Sequence, residues 1–203
     1  IREDGIETII HTGDAINSPG NTYEWKRFVA AQGPQQTIHL APGNHDITDK
    51  ESFEVYLRFF PRPYYSFSEG DTLFILLNTG FPGEESSIGG KQLVWLEGEL
   101  KRSFRYKFVF LHEPLFPVIH KGLAVNEESR DALHKLFVQR GVSLVVSGHD
   151  HIYRRQIKDG ITYIIMPPAR AGTTQLINEM EPGYLAVYRK NGSFSFVLKD
   201  LRG

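Results

Sequence analysis

Residues 37–46 read Thr37-Ile38-His39-Leu40-Ala41-Pro42-Gly43-Asn44-His45-Asp46. Four residues of strand character run into a turn that carries an amide, an imidazole and a carboxylate. The construction recurs along the chain. Thr8 to His11 ends in Thr12-Gly13-Asp14. Phe108 to Leu111 leads into His112-Glu113-Pro114, and Leu144 to Val146 into Gly148-His149-Asp150-His151. Short apolar runs bounded by Gly and Pro read as buried strands. Ligands of open α/β sheets bind at the carboxyl ends of strands. Four such ends therefore direct Asp14, Asn44, His112, His149 and His151 toward one region.

The segments between these ends complete an α/β pattern. Further strands are expected at Tyr64 to Phe67 and Thr72 to Leu77, paired as a hairpin across Glu69-Gly70-Asp71, and at Ile161 to Ile165. Tyr184 to Tyr188 and Ser193 to Leu198 flank Lys190-Asn191-Gly192, where Asn-Gly signals a second hairpin. Helices are expected over Thr22 to Ala31, Glu51 to Phe60 (stopped by Pro61), Lys91 to Leu100 and Glu127 to Gln139 (ending at Gly141). Gly80 to Gly90 reads as a loop.

Composition narrows the function classes. At 203 residues, 40% hydrophobic and 23% charged, the chain suits one globular domain with a real core, residues 1–203. A net charge of −1 offers no basic footprint, so no nucleic-acid partner is expected. No run approaches the roughly 18 apolar residues of a membrane span, so a soluble chain without a membrane partner is expected. Nothing in the pattern specifies an oligomeric state or a compartment. With no cysteine, disulfides, thiolate metal sites and a cysteine nucleophile are excluded.

The candidate ligands suit a divalent ion. Imidazole nitrogens with carboxylate and amide oxygens form a mixed shell that accepts Fe, Mn, Zn, Ni or Co. His149 and His151 are two apart, so an extended backbone would point both the same way, able to bridge or share two metals. Each piece alone has an ordinary explanation as a turn or a structural histidine. Their shared position after apolar strands favours the metal.

Gly13-Asp14-Ala15-Ile16-Asn17, Gly43-Asn44-His45-Asp46, His112-Glu113-Pro114 and Gly148-His149-Asp150-His151 together resemble the calcineurin-like metallophosphoesterases, over about Thr8 to Tyr153. Tyr64-Tyr65-Ser66-Phe67, Asn78 and Leu93-Val94-Trp95-Leu96 are similar to the branch with purple acid phosphatases and bacterial relatives. The resemblance implies an α/β fold of two sheets packed as a β-sandwich and flanked by helices. It implies metal-dependent hydrolysis of phosphate mono- or diesters, with a small phosphoester as substrate. Asp14 would bridge two divalent metals. Asn44, His112 and His149 would complete one metal's shell, and His151 would bind the other. His45 would serve the leaving group or the phosphoryl oxygens. Tyr153, Arg154 and Arg155 lie just past the last ligand and are candidates to lean over the substrate with Asn17, solvated surface being the competing and favoured reading for the two arginines.

Two departures from the family pattern shape the expectation. Its opening Asp-x-His, which supplies an Asp and a His to the second metal, is absent from these residues. Asn17 stands where purple acid phosphatases have Tyr and calcineurin-type phosphatases have Asp. Ile1 to Asp4 read as the tail of a helix stopped at Gly5. The expectation is therefore a domain lacking its first strand and most of its first helix, N-terminally incomplete, with one metal in this chain and two in the intact enzyme. Two rivals stand beside it. A non-catalytic interaction module on the same fold, as in a retromer subunit, suits the missing motif. A nuclease-like phosphodiesterase fits the chemistry but not the charge.

Overall fold

The computed structural model describes residues 6–169, 182–190 and 192–200. In chain order they form β1 (Thr8–His11), α1 (Thr22–Ala30), β2 (Thr37–Leu40), α2 (Lys50–Phe59), β3 (Tyr65–Glu69), β4 (Thr72–Leu76), α3 (Gly90–Leu100) and β5 (Tyr106–Phe110). A 3-10 turn (Gly122–Val125), α4 (Glu127–Gln139), β6 (Leu144–Ser147), β7 (Arg154–Lys158), β8 (Ile161–Ile165), β9 (Gly183–Lys190) and β10 (Ser193–Asp200) follow. The reading of Ile1 to Gly5 lies outside the described residues.

Alternation along the central strands builds the layers. On β4 and β5, Leu73, Ile75 and Val109 face one way and pack against Leu96 and Leu100 of α3 and Leu133 and Phe137 of α4. Leu76, Phe108 and Phe110 face the other way, with Leu144 and Val146 of β6. This period of two makes both faces of the sheet apolar, as buried parallel strands require. The sheet is six-stranded in the order β3-β4-β5-β6-β8-β7, with β4, β5, β6 and β8 parallel. Helices α3 and α4 make the crossovers from β4 to β5 and from β5 to β6.

The second layer comes in two halves. The parallel pair β1-β2 and the hairpin β9-β10 are separate sheets, not hydrogen-bonded to each other. Both cover the same face of the six-stranded sheet: Ile10 of β1, Leu185 of β9, and Phe194 and Phe196 of β10 join one cluster. All four β1 residues stay only half-buried, because among the described residues just one edge of β1 is paired. Outside β1-β2, Trp25 of α1 and Tyr56 of α2 are fully buried with Leu40, Ile16 and Ile47. The result is the expected two-sheet sandwich with helices on its outer faces. Among the described residues no helix is long and apolar enough to cross a membrane.

At the end of β5 away from His112, Lys107 is almost wholly buried. Its ammonium donates to the carbonyls of Leu100 (2.7 Å) and Arg140 (2.8 Å), at the carboxyl ends of α3 and α4. A cation there satisfies acceptors a helix terminus leaves open and complements both dipoles.

β1, β2, α4 and β8 have the bounds expected, the other expected elements differ at an end by one or two residues, and β7 was not expected at all. Its Arg-Arg-Gln-Ile-Lys is mostly exposed, as an edge strand is. The signal was Asp159-Gly160, whose positive φ values (48° and 80°) make the tight turn to β8.

Candidate metal centre

Two glycines let the first two loops touch. Gly13 has φ 95°, and a Cβ on it would lie 2.5 Å from His112 Nδ1. A Cβ on Gly43 would lie 2.5 Å from the backbone nitrogen of Asp14. Asp14 follows in the left-handed region at φ 55°, a conformation that non-glycine residues hold only where the surroundings impose it. The buried Asp46 carboxylate fastens both loops. It accepts from the amides of Ala15 (2.9 Å), Ile16 (3.2 Å) and Gly43 (2.8 Å). Burial, with the Asp14 charge nearby, pushes its pKa up to about 7 against these three donors.

Four donor atoms from four strand ends then meet. His112 Nε2 is 3.2 Å from Asp14 Oδ2 and 3.0 Å from Asn44 Oδ1. His149 Nδ1 is 3.0 Å from Asn44 Oδ1 and 3.1 Å from His112 Nε2. His112 Nδ1 lies 2.7 Å from the Thr12 carbonyl, which only accepts. The Nδ1–H therefore donates there, and Nε2 is the atom aimed at the cluster. Such a hydrogen bond behind a ligating imidazole fixes its orientation. Burial disfavours charge on Asp14, but its hydrogen bond to His112, the His112 charge and the His45 amide together outweigh that and bring its pKa down to about 2. On His112 burial works against charge, but the same bond, the Asp14 charge and the Thr12 carbonyl together outweigh it and raise its pKa. Burial, with His112 and His120 alongside, lowers His149 to about 4.

The donor set fits a divalent metal. Ligands at about 2.0–2.1 Å from one ion sit roughly 3.0–3.4 Å apart, close to the spacing of these four atoms. The donors are closed on one another by hydrogen bonds. Among the described residues no group of three or more His, Cys, Asp or Glu forms a ready cage. One of the four donors is an asparagine amide.

The other expected residues are placed as follows. His45 is exposed beside the cluster. Its amide donates to Asp14 Oδ1 (2.9 Å) and its Nδ1 lies 3.0 Å from the Asn17 carbonyl oxygen. Asn17 thus meets the site through its backbone. His151 is half-buried and not one of the four mutually bonded donors. The stretch carrying it is not extended, contrary to expectation: His149 (φ 70°) and His151 (φ 53°) are both left-handed. Arg154 and Arg155 are exposed on β7, with Arg154 bonded to Gln156. Tyr153 packs against the cluster under the second layer.

Three further residues escaped the sequence reading. The His120 ring sits 5.1 Å from that of His149. Asp150, fully buried, accepts the amides of Val118 (2.5 Å), Ile119 (3.2 Å) and His120 (2.9 Å). His11 packs edge-on against Phe28 at 5.3 Å, its Nδ1 buried without a hydrogen-bond partner.

A model of the calcineurin-like phosphoesterases matches residues 1–153. The chain belongs to the calcineurin-like phosphoesterase family. It is 32% identical over 161 residues to the human serine/threonine-protein phosphatase CPPED1, covering 68% of this chain and 51% of that protein. It is 26% identical over 208 residues to the phosphoenolpyruvate phosphatase of Allium cepa, covering 89% and 42%. The chain thus spans about half, or less, of the curated relatives it matches. Among solved structures, a dimetal phosphatase from Danio rerio superposes with TM-score 0.59 at 17% identity, covering 82% of this chain and 74% of the other. The structure described as GAP50, the anchor in the inner membrane complex of Plasmodium, gives 0.61 at 16% identity, covering 81% and 62%. One fold thus serves a phosphatase and an anchor, so the site has to carry the functional argument. The phosphoesterase family implies divalent metal ions.

Proposed function

We propose that this chain is the catalytic body of a metal-dependent hydrolase of phosphate mono- or diesters, acting on a small phosphoester. The convergence of Asp14 Oδ2, Asn44 Oδ1, His112 Nε2 and His149 Nδ1 carries the reading. These residues would hold one divalent ion of the Fe, Mn, Zn, Ni or Co class, and Asp14 with His151 would contribute to a second. When bound, such ions act as Lewis acids and lower the pKa of a water to near neutrality.

The chain's own residues do the rest. Asp14, held by the His45 amide, keeps its carboxylate charged and fixed. His45 gives its Nδ1–H to the Asn17 carbonyl, so Nε2 is the nitrogen left for substrate. Protonated there, it donates to the departing oxygen, a role typically contributing 10²–10⁴ in rate. A scaffold has no use for a histidine so tethered beside a ligand cluster, which favours the hydrolase over the interaction module.

We propose that an extended segment bearing Asp-x-His pairs with the edge of β1 that has no partner among the described residues, as unpaired strand edges invite. It would join the two halves of the layer and raise the metal content from one to two.

Elemental analysis with a phosphatase assay tests the reading. Asn44→Ala should lose metal. His45→Ala should keep it and lose turnover by about 10²–10⁴. Unchanged metal in Asn44→Ala, His112→Ala and His149→Ala would sink the assignment.

A further inference from the structure

The loop after β5 has no regular structure except its 3-10 turn, yet it is tied down at three places. At its base the Leu123 amide donates to the Pro114 carbonyl (3.2 Å). On its flank Phe116 packs edge-on against His134 (5.3 Å) and Tyr163 (5.0 Å). His134 is itself held between the Tyr163 hydroxyl (2.7 Å) and Asp159 (2.8 Å). At its tip three consecutive amides, Val118 to His120, close on the one carboxylate of Asp150. A buried carboxylate is costly unless its oxygens are satisfied; here backbone donors of a different loop satisfy it. Asp150 lies between His149 and His151, so the tie joins the loop directly to the turn that carries a proposed metal ligand. The residue delivered is His120, exposed and ring to ring with His149.

We infer that Asp150 is a positioning residue, whose carboxylate fastens the 118–120 backbone to the metal loop and so holds the His120 imidazole at the mouth of the site, where it contacts the substrate's phosphate. The inference rests on the proposed phosphoester hydrolysis for the identity of that ligand. A purely structural Asp150 would support His149 and leave phosphate recognition to the metals. A positioning Asp150 acts through His120, so its removal should matter only while His120 is present.

Asp150→Asn, His120→Ala and the double variant decide this in the zinc-loaded chain. Asp150→Asn keeps the size of the side chain but replaces one acceptor with a donor. Val118→Pro removes one amide from the other side of the tie and serves if Asp150→Asn fails to fold. Hydrogen exchange at the amides of Val118, Ile119 and His120 should accelerate at least about tenfold in Asp150→Asn, with zinc content unchanged. Inorganic phosphate, titrated while the His120 ring signals are followed by NMR, should bind several-fold more weakly in each single variant. The double variant should be no weaker than His120→Ala alone. Unchanged exchange at the three amides would overturn the proposal. So would zinc loss in Asp150→Asn, or a phosphate loss in the double variant equal to the product of the singles. If the unaltered chain binds neither zinc nor phosphate, the proposed function and the phosphate role of His120 fall together, and the exchange measurement alone still decides the tie.

Discussion

His11 makes a sharp test of the packing around the site, because its expected effect has a definite sign. The ring lies at the end of β1 against Phe28 of α1, with Nδ1 buried and unpartnered. Burial, then the charge of His112, lower its pKa from 6.5 to about 4, outweighing the pull of Asp14. A group depressed on folding contributes stability above its unfolded pKa and loses it as pH falls toward the folded value. Between 6.5 and about 4 the unfolded chain binds a proton here that the folded chain refuses. From about pH 7 to about pH 4.5 this amounts to roughly 2 kcal/mol. His11→Leu keeps the volume and removes the titration. Urea unfolding of both chains, in chelator and across that window, gives the measurement. Subtracting one profile from the other cancels Asp14, Asp46 and the other groups common to both. The two should be similar in stability at pH 7, since exchanging an unpartnered buried nitrogen for carbon is close to neutral. The wild type should then fall about 2 kcal/mol relative to the variant by pH 4.5. Parallel profiles would show that His11 is solvated enough to take its proton while folded, and the account of the α1–β1 packing would fail.

Asp46→Ala strands three amides, those of Ile16 and Gly43 buried and that of Ala15 half-buried. It should cost about 3–5 kcal/mol in urea unfolding at about pH 8, where the carboxyl is charged, and also weaken metal binding, because the loops of Asp14 and Asn44 lose their common anchor. A loss under about 1 kcal/mol would refute the anchoring role. Lys107→Met leaves the Leu100 and Arg140 carbonyls without their buried donor and should cost about 2–4 kcal/mol. Metal content should not change, since Lys107 lies at the opposite end of β5; a metal loss would contradict that separation.

The residues that carry the chemistry were legible because each follows a strand with a strong local pattern. Thr8–His11, Thr37–Leu40 and Ile161–Ile165 are found at the positions expected, and the loops after the first two carry Asp14 and Asn44. What was hidden is what depends on contacts distant in sequence. His120 stands eight residues past His112 in a loop without periodicity, and only the tie to Asp150 brings it to His149. Asp150 sat in plain view between two histidines, but nothing local marks a side chain that turns inward. The error over His149 and His151 has the same origin. Spacing of two implies a shared direction only in extended backbone, and here Asp150 N donates to Gly148 O while both histidines are left-handed. A side chain that must reach amides of another loop imposes a turn that alternation does not anticipate.

The site also bears on how the two layers hold register. β1 and β2 are not hydrogen-bonded strand to strand with the six-stranded sheet, and the apolar contacts of Ile10 and Ala41 between them have no direction. Directional ties across the layers come from the candidate ligands and, at the β3 edge, from His39 Nδ1 with the Tyr65 hydroxyl (2.9 Å) and Thr8 with Glu69 (3.1 Å). His112, from the large sheet, donates to Thr12 and reaches Asp14 and Asn44, from the small one. His149, also from the large sheet, reaches Asn44. Hydrophobic burial fixes that the layers meet; these polar contacts fix how they are aligned along the strands, because a slide of one residue would break all of them together. The donor cluster is thus both the place where the chemistry is proposed and the clasp of the sandwich. The two roles explain why His112 is buried so deeply: its Nδ1 serves the fold and its Nε2 serves the site.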